Sequence, residues 1–466
     1  MVAADVIKRY HALLGKNVVL LSGTDEHGTK IENAANAIGK KPQIYVEHMR
    51  NHYKEVLETY NVQVGINVHT AVDEHKRKVK QVFAHLLDKG DIYQGMHEGY
   101  FSPAEETYYT HFQITNGKSP QGFDVHPVAE KAFFFRLSKY RDALRELISK
   151  EGFIMPKERQ NEALALLNGD IPDIAVTRSN TNWGVPVDKQ GFEEHTIYVW
   201  LDALLGYHID YKQHGIGENT IMLFGKDILR FIALVWPALL MSLGLPLPHQ
   251  MICHGWLMTN GEKISKSKGE KVFALPAIGT SDVSRFVLLN LGAFGEDVQF
   301  NNERVASLTD MVKDKYANLT HRLTGIIHKR GIQEISHDVQ GEIHPFVENI
   351  VNKWEQLQQT MTQYRIDRYL SEINEIEKDI NGYITENQLW EIQDDSELKP
   401  HVLTMCQALL ALTIYFSPIM PQLASMNLER LQPHVNNVPV KVGVASDMLR
   451  TLGHMDFKPQ HLGVLV

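Results

Sequence analysis

Four short apolar runs, each followed at once by a polar or glycine-rich loop, constrain the fold of this chain more than any other feature. They cover residues 18–21, 196–200, 221–224 and 251–253. The runs 18–21, 221–224 and 251–253 are typical of strands buried on both faces of a parallel sheet. Ligands of open α/β sheets bind outside the carboxyl ends of the strands, so the four following loops are predicted to form one site.

Helical patterns surround these runs. Val2, Val6, Tyr10 and Leu13 recur at helical spacing, and residues 78–87 carry a second apolar face. The chain between residues 21 and 196 is too long for one crossover, and residues 93–135 are rich in aromatics, Gly and Pro. An inserted subdomain is therefore predicted there, whereas the chain after residue 310 is dominated by helical stripes.

The predicted fold class is α/β, a doubly wound, Rossmann-like parallel sheet with an inserted connective subdomain, followed by an α-helical bundle. Residues 1–92 and 196–252 would form the two parts of the sheet domain, and 93–195 the insertion. Residues 253–310 would form a connecting region that carries a lysine-rich loop, and 311–466 the helical domain.

Composition excludes several classes of protein. Lys and Arg number 47 against 56 Asp and Glu, a net charge of −9, which excludes a generally basic surface but not a local basic patch. Such a patch is expected on residues 311–330. The only cysteines, Cys253 and Cys406, exclude a disulfide scaffold and a Cys-rich zinc knuckle. The longest weakly polar stretch, residues 231–248, contains three prolines, so we expect a buried helix and no membrane partner.

A loop between two glycines, residues 261–269, carries Lys263, Lys266 and Lys268. Lysines on a glycine-flanked loop can close on a polyphosphate and neutralise the charge that develops as pyrophosphate leaves. The spacing does not match the phosphate-binding loop Gly-x-x-x-x-Gly-Lys-Ser/Thr. By itself, a short Lys/Ser run is more often a solvated surface loop, and its context decides between the two interpretations.

That context is a set of motifs in fixed order. Residues 263–267, Lys-Ile-Ser-Lys-Ser, resemble the Lys-Met-Ser-Lys-Ser signature of class I aminoacyl-tRNA synthetases, with His254-Gly255 before them as in that class. Residues 23–31, 182–186, 197–203 and 225–228 together resemble the methionyl-tRNA synthetase family. The resemblance extends from residue 1 to about 330 and more weakly to about 425. The chain is most similar to the compact bacterial-type enzymes used in mitochondria, which implies the mitochondrial matrix, otherwise the cytoplasm.

The resemblance implies a role for individual residues. Asp25 would bind the α-ammonium group of methionine, and an aromatic pocket would hold the thioether side chain. The pocket residues would be Trp200, Ala203, Tyr207, Phe231 and Trp236. ATP, with Mg²⁺, would meet Gly225, Asp227, His254 and Gly255, and its phosphates the catalytic lysines Lys263 and Lys266. Asn381 and Trp390 would read the anticodon of tRNA(Met) in the helical domain, and no structural zinc is expected.

The sequence departs from the family pattern at four places. The family's His-x-Gly-His segment and the strand that carries it would precede Met1, so we expect a sheet without that strand and little methionine-dependent ATP–pyrophosphate exchange. Ile232 stands where the family has a histidine in the methionine pocket. Glu270 stands where Asn usually follows the loop glycine, and Leu389 replaces the Pro before Trp390.

The leading hypothesis is ATP-dependent ligation of methionine to its tRNA. The first alternative is an N-terminally truncated, catalytically impaired chain that retains at most tRNA or ligand binding. The second is a class I ligase for isoleucine, valine, leucine or cysteine. Residues 93–195 are too short for the editing insertion of the branched-chain enzymes, and two distant cysteines do not supply the zinc ligands of a cysteine ligase. The third, a small-molecule nucleotidyltransferase, leaves the helical domain unexplained.

Overall fold

The computed structural model describes residues 1–105, 107–109, 114–169, 171–179, 181–207, 219–259, 261–264, 279–332, 344–435 and 462–465. They form two compact units. The described residues of 1–18, 57–63 and 254–461 form one, here called the helical unit. Those of 19–56, 64–253 and 462–466 form the other, here called the sheet unit.

The strands and helices alternate through the first half of the chain, and helices dominate the second half. The strands are β1 Asn17–Thr24, β2 Ile66–His69, β3 Ile92–Ser102, β4 Thr107–Tyr109, β5 His126–Phe135, β6 Ile154–Met155, β7 Ile174–Ala175, β8 Thr177–Arg178, β9 Val185–Pro186, β10 Thr196–Ile197, β11 Ile221–Gly225, β12 Gln250–His254, β13 Leu257–Thr259, β14 Glu262–Lys263, β15 Val298–Gln299 and β16 Leu462–Leu465. The α-helices are α1 Val2–Leu13, α2 Thr29–Ala37, α3 Pro42–Thr59, α4 Asp73–Asp88, α5 Arg141–Ser149, α6 Lys157–Leu166, α7 Val199–Gly206, α8 Trp236–Leu243, α9 Ser281–Asn290, α10 Asn302–Met311, α11 Asn318–Arg330, α12 Pro345–Thr362, α13 Ile366–Glu386, α14 Asp395–Phe416 and α15 Pro421–Val435.

The centre of the sheet unit is a six-stranded sheet in the order β2-β1-β16-β11-β12-β6. The pairs β1–β2, β11–β16 and β12–β6 are parallel. Helices connect these strands, and the apolar runs at β1, β11 and β12 supply buried residues such as Leu21, Met222 and Met251 to one core. This architecture, with helices after residue 300, confirms the predicted α/β fold class.

The structure differs from the sequence expectation at β16. The family pattern predicts that a strand is absent beside β1, and the helical stripes predict helices in residues 311–466. In the structure, β16 fills the position between β1 and β11 and pairs Leu465 with Ile221. Both neighbouring strands present backbone N–H and C=O groups to this position, and a strand from elsewhere in the chain satisfies them.

The inserted region carries its own antiparallel sheets. One has the order β4-β3-β5-β7, and its long β3–β5 pair runs from Ile92↔Phe135 to Phe101↔His126. The other has the order β8-β10-β9 and leads into α7. Phe133 on β5 anchors the insertion, because its ring contacts Phe83 and Phe192 with centroid distances of 5.4 and 4.4 Å.

The helical unit contains a small sheet, β14-β13-β15, together with α1 and the helices α9 to α15. Long helices bury aromatic and aliphatic stripes against one another. Trp354 on α12 stacks on Tyr415 on α14 with ring centroids 5.2 Å apart. Among the described residues, no helix is long and apolar enough to cross a membrane. The predicted domain limits remain predictions.

Candidate active site

The loop after β1 is held by a buried carboxylate. Glu26 is 2% exposed and accepts hydrogen bonds from Arg50 Nε and Nη2 at 2.5 and 2.6 Å. Thr24 Oγ1 and the Ala71 N–H donate to it at 2.6 and 2.9 Å. Burial alone would raise the pKa of Glu26, but the hydrogen bonds outweigh it and hold that pKa well below its usual range. The carboxylate is therefore ionised and fixes the loop backbone.

Asp25, the predicted ammonium ligand, lies beside Glu26 and is exposed at the tip of the same loop. Its charge reaches the phenol of Tyr207, since burial first and the Asp25 carboxylate second raise the pKa of Tyr207 to about 12. The Asp25 carboxylate therefore interacts electrostatically with a predicted pocket residue.

Helix α7 presents the aromatic pocket on one face. Trp200, Ala203 and Tyr207 are half-buried and recur at helical spacing. The Trp200 ring stacks on Phe231 with centroids 4.0 Å apart and planes 6° apart. The Tyr207 ring meets Trp236 edge-on at 5.9 Å. All five predicted pocket residues therefore lie together, and they form two aromatic pairs suited to a thioether side chain.

Ile232 directly follows the pocket residue Phe231 in the chain and is part of the apolar core at 1% exposure. It lies in the π-helix Phe231–Val235, directly before α8. An isoleucine can pack there without a polar partner, whereas a buried histidine would need a hydrogen bond.

The opposite side of α7 carries a buried acid between two histidines. Asp202 accepts a hydrogen bond from His27 Nδ1 and one from His75 Nε2, each at 2.6 Å. All three side chains are at most 2% exposed. Burial alone would raise the pKa of Asp202, but the two histidine hydrogen bonds lower it, so Asp202 is a carboxylate that both histidines address as donors.

The predicted nucleotide residues of the sheet unit follow β11. Gly225 ends this strand, and Asp227 is exposed in the 3₁₀ turn Lys226–Ile228. Open α/β sheets bind ligands outside the carboxyl ends of their strands, and the Asp227 carboxylate lies just after such an end.

The other predicted nucleotide residues belong to the helical unit. His254 is exposed at the end of β12, and its Nδ1–H donates to the Gly255 carbonyl at 2.8 Å. Gly255 is required by packing, since a Cβ there would lie 2.2 Å from the Glu296 carbonyl oxygen. Lys263 lies on the β13–β14 hairpin with Nζ 4.7 Å from the centre of the Trp256 ring. Lys266 and Glu270 lie outside the described residues.

The predicted anticodon residues lie at the end of α13. Asn381 Oδ1 accepts from Arg322 Nη1 of α11 at 3.1 Å. Trp390 follows the helix and is 51% exposed, while its neighbour Leu389 is buried at 1%. An exposed indole can stack on an unpaired base.

Sequence reasoning missed several polar residues around the site. They are Arg50, which holds Glu26; His27, His75 and Asp202; and Arg178, whose guanidinium lies 3.9 Å from the centre of the Tyr198 ring. His27 lies in the motif 23–31 and Asp202 in the motif 197–203. A histidine and an acid without an assigned role in these motifs could have indicated that the two residues are part of the site. Arg50 and His75 lie outside every motif.

The site combines a parallel sheet, polar loops at the carboxyl ends of its strands and an aromatic pocket. Together with the sequence motifs, these features indicate the class of enzyme. A family model described as tRNA synthetases class I (M) matches residues 1–124 and 123–324. The chain is therefore a class I aminoacyl-tRNA synthetase by fold and motif, and a ligase by class.

Individual relatives narrow the class. The methionine–tRNA ligases of Rickettsia felis and Thermotoga maritima are each 32% identical to this chain. The first match covers 92% of this chain and 87% of the relative, and the second 90% and 70%. The crystal structure of Mycobacterium tuberculosis methionyl-tRNA synthetase bound by methionyl-adenylate has a TM-score of 0.83 and 26% identity, covering 95% of this chain and 92% of that chain. This chain belongs to the methionyl-tRNA synthetase family.

Proposed function

We propose that this chain activates methionine with ATP and transfers it to tRNA(Met). The observation that carries the proposal is the aromatic face of α7, where Trp200 stacks on Phe231 and Tyr207 meets Trp236 edge-on, and the exposed Asp25 carboxylate interacts electrostatically with Tyr207. A zwitterionic amino acid with an apolar side chain needs both features at once. The similarity to a structure bound by methionyl-adenylate supports the same conclusion.

In the proposed complex, Asp25 pairs with the α-ammonium group, and the thioether lies between the Trp200–Phe231 and Tyr207–Trp236 pairs. Sulfur makes favourable contacts at aromatic ring edges. Ala203 leaves space between the two aromatic residues on α7. The five proposed pocket residues are uncharged, so affinity for the side chain comes from apolar burial.

The chemistry then requires positioning and charge stabilisation. An oxygen of the methionine carboxylate attacks the α-phosphorus of ATP in line, the bond to the bridging oxygen breaks, and pyrophosphate leaves with the negative charge. Gly225, Asp227, His254 and Gly255 would bind the nucleotide, and Lys263 and Lys266 would neutralise the phosphates. The 3′-terminal ribose hydroxyl of the tRNA next attacks the mixed anhydride, forming the ester and releasing AMP.

Mg²⁺ would enter with ATP. Within the described ranges, no group of three His, Cys, Asp or Glu side chains could hold a metal ion. Mg²⁺ usually takes most of its ligands from the substrate phosphates and water, with only one or two protein carboxylates, for which Asp227 is available.

The helical unit would bind the tRNA. Asn381 and the exposed Trp390 are proposed to contact the anticodon, and basic residues 313–330 the phosphates. We further propose mitochondrial translation as the setting, based on the resemblance to compact bacterial-type enzymes. Cell fractionation with an antibody to this chain tests that part independently.

The alternative is a catalytically impaired form that binds methionine or tRNA without efficient adenylate formation. Its support is the apolar Ile232 at a position where the family has a histidine. The two forms differ in methionine-dependent ATP–pyrophosphate exchange, which the first catalyses and the second does not.

The test is that exchange assay with the full chain, together with methionine binding by equilibrium dialysis. Asp25→Asn is expected to weaken methionine binding by about tenfold to a hundredfold, because a charge-assisted hydrogen bond is lost, and to leave the KM for ATP unchanged. Asp188→Asn is the control, since Asp188 pairs with Lys80 at the surface of the sheet unit. Equal effects of the two substitutions would contradict the proposed site.

A further inference from the structure

The chain contains a buried acid–histidine cluster that the proposed reaction does not use. Its members are His27, His75 and Asp202, and each histidine gives one hydrogen bond of 2.6 Å to a different oxygen of the acid. They come from three elements, since His27 follows β1, His75 lies in the first turn of α4 and Asp202 in the first turn of α7. The cluster therefore joins segments up to 175 residues apart.

Burying three ionisable side chains is unfavourable unless they compensate one another. Here the compensation is incomplete, because His27 Nε2 and His75 Nδ1 are buried without a hydrogen-bond partner among the described residues. An apolar trio would fill the same volume without unpaired nitrogens. Such a cluster therefore contributes less to the stability of the fold than apolar side chains would, but its directional hydrogen bonds hold the three elements in one arrangement.

Helix geometry shows what the cluster fixes. At about 100° per residue, Trp200, Ala203 and Tyr207 fall within about 60° of one another, and Asp202 points about 100–160° away from them. The two histidines bond to Asp202 on the side of α7 away from the aromatic residues. These bonds therefore set the rotation of α7 about its axis. The end of α7 is also close to α4, since a Cβ on Gly206 would lie 3.6 Å from His75 Cε1.

The same cluster constrains the ammonium site. His27 lies two residues beyond Asp25 in the loop after β1, and its ring is held between Asp202 and the Trp183 ring, which it meets at 5.5 Å. Glu26, between them, is clamped by Arg50. Neither the loop nor α7 can shift without breaking a short hydrogen bond to a buried carboxylate.

We propose that Asp202, with His27 and His75, is a positioning cluster that sets the separation between the Asp25 carboxylate and the aromatic face of α7. This inference rests on the proposed function, because that separation is the one between the ammonium group and the thioether of methionine. In this proposal the three residues are positioning residues and not ligands of methionine. They act through Asp25 on one side and through Trp200 and Tyr207 on the other.

The first test removes the acceptor. Asp202→Asn keeps the volume but offers one oxygen to two histidine donors, so one of them loses its partner. We expect methionine binding to weaken by at least about tenfold, since the charge-assisted bond of Asp25 is misaligned. Binding of 4-(methylthio)butanoate, which has no ammonium group, is expected to change much less. A purely structural role would weaken both ligands equally.

Asp91→Asn is the matched control. Asp91 is also fully buried in the sheet unit and accepts hydrogen bonds from Lys139, Tyr140 and Ser242 at 2.5, 2.8 and 2.6 Å. Its substitution is expected to lower the melting temperature to a similar extent and leave methionine binding within about twofold of the unchanged chain.

Conservative replacements supply a rescue test. The amide nitrogen of Asn can replace a histidine Nδ1, and that of Gln a histidine Nε2. His27→Asn and His75→Gln should therefore keep methionine binding near that of the unchanged chain, whereas His27→Ala and His75→Ala should weaken it. Equal behaviour of the rescuing and the alanine variants would overturn the proposal.

An NMR measurement tests the cluster without any substrate. Long-range ¹⁵N–¹H spectra should show His27 with its proton on Nδ1 and His75 with its proton on Nε2, and Asp202→Asn should change only these two rings. Other tautomers in the unchanged chain would overturn the hydrogen-bond assignment. Failure of the unchanged chain to bind methionine would overturn the proposed function and the positioning role with it. Methionine binding that Asp202→Asn leaves intact would overturn the positioning role alone.

Discussion

At the level of single residues, two adjacent acids in one loop have opposite environments. Asp25 is exposed, whereas Glu26 is buried and accepts two hydrogen bonds from the Arg50 guanidinium. The planar fork of an arginine matches a carboxylate in two hydrogen bonds at once, so it can hold the loop in one conformation. The chain thus uses one acid to build the loop and exposes the other at the surface.

Arg50→Ala is expected to lower the free energy of unfolding by about 3 kcal/mol, because it leaves Glu26 buried without its cation. Urea unfolding at pH 7 measures this loss. Arg50→Lys keeps the charge but not the fork, so an intermediate loss is expected. A loss after Arg50→Ala as small as that of a surface ion pair, below about 1 kcal/mol, would contradict this view of the pair.

The same pair predicts a pH dependence. The pKa of Glu26 is lower in the folded chain than its ordinary value near 4.3, so its contribution to stability is present at neutral pH and is lost as the pH falls below that value. The difference in unfolding free energy between the unchanged chain and Arg50→Ala should therefore shrink between about pH 5 and pH 3. A constant difference across that range would mean that the pair is not the source of the effect.

At the level of elements, the spacing of β1 and β2 depends on one glycine. Gly23 lies opposite Val68 in the parallel register. A Cβ at this position would lie 1.9 Å from the Val68 carbonyl oxygen. Since backbone atoms of a paired strand cannot move aside as a side chain can, this contact requires glycine, and it sets where the Asp25 loop begins.

Gly23→Ala is expected to destabilise the chain by about 1–3 kcal/mol, the usual penalty for overpacking. Gly382→Ala is the control, because Gly382 lies inside α13 with no atom within 4 Å of a new Cβ. That substitution should raise stability by about 0.5–1 kcal/mol through helix propensity. Thermal unfolding of the two variants compares them directly, and the same sign for both would contradict the packing argument.

At the level of the whole molecule, the helical unit is assembled from three separate stretches of chain. Arg285 on α9 is fully buried and donates to Asp5 of α1 at 2.7 Å. It also donates to the Tyr60 carbonyl at 3.2 Å and to the Ile419 and Pro418 carbonyls at 2.7 and 2.9 Å. One guanidinium thus joins α1, the end of α3 and the turn before α15, which explains why residues 1–18 and 57–63 belong to this unit.

Arg285→Met is expected to lower stability by about 3–5 kcal/mol, since it removes one partner of a buried ion pair and leaves carbonyl groups unsatisfied. Hydrogen exchange should show lost protection in α1 and around residues 418–420. Arg9→Met is the matched control, because Arg9 also binds Asp5, at 2.6 Å, but is partly exposed. It is expected to have a smaller effect, and a larger one would contradict the central role of Arg285.

Agreement between sequence and structure is best where the information is local. The apolar runs predicted β1, β11 and β12, because a strand buried on both faces has to be apolar along its length. The periodic residues of 2–14 predicted α1 to within one residue. The structure also places Trp200, Ala203 and Tyr207 on one helical face, while their role in a methionine pocket, which the resemblance implies, remains a prediction.

The amino-acid sequence by itself determined the α/β fold class, the membership in the methionyl-tRNA synthetase family and the acidic and aromatic groups of the proposed methionine site. Only the tertiary structure decided how those groups are held. Arg50 on Glu26, the two histidines on Asp202, Arg285 on Asp5 and β16 between β1 and β11 all join residues far apart in the chain. Buried charges and strand edges require partners, but local sequence does not state which distant residue supplies them; packing of the folded chain does.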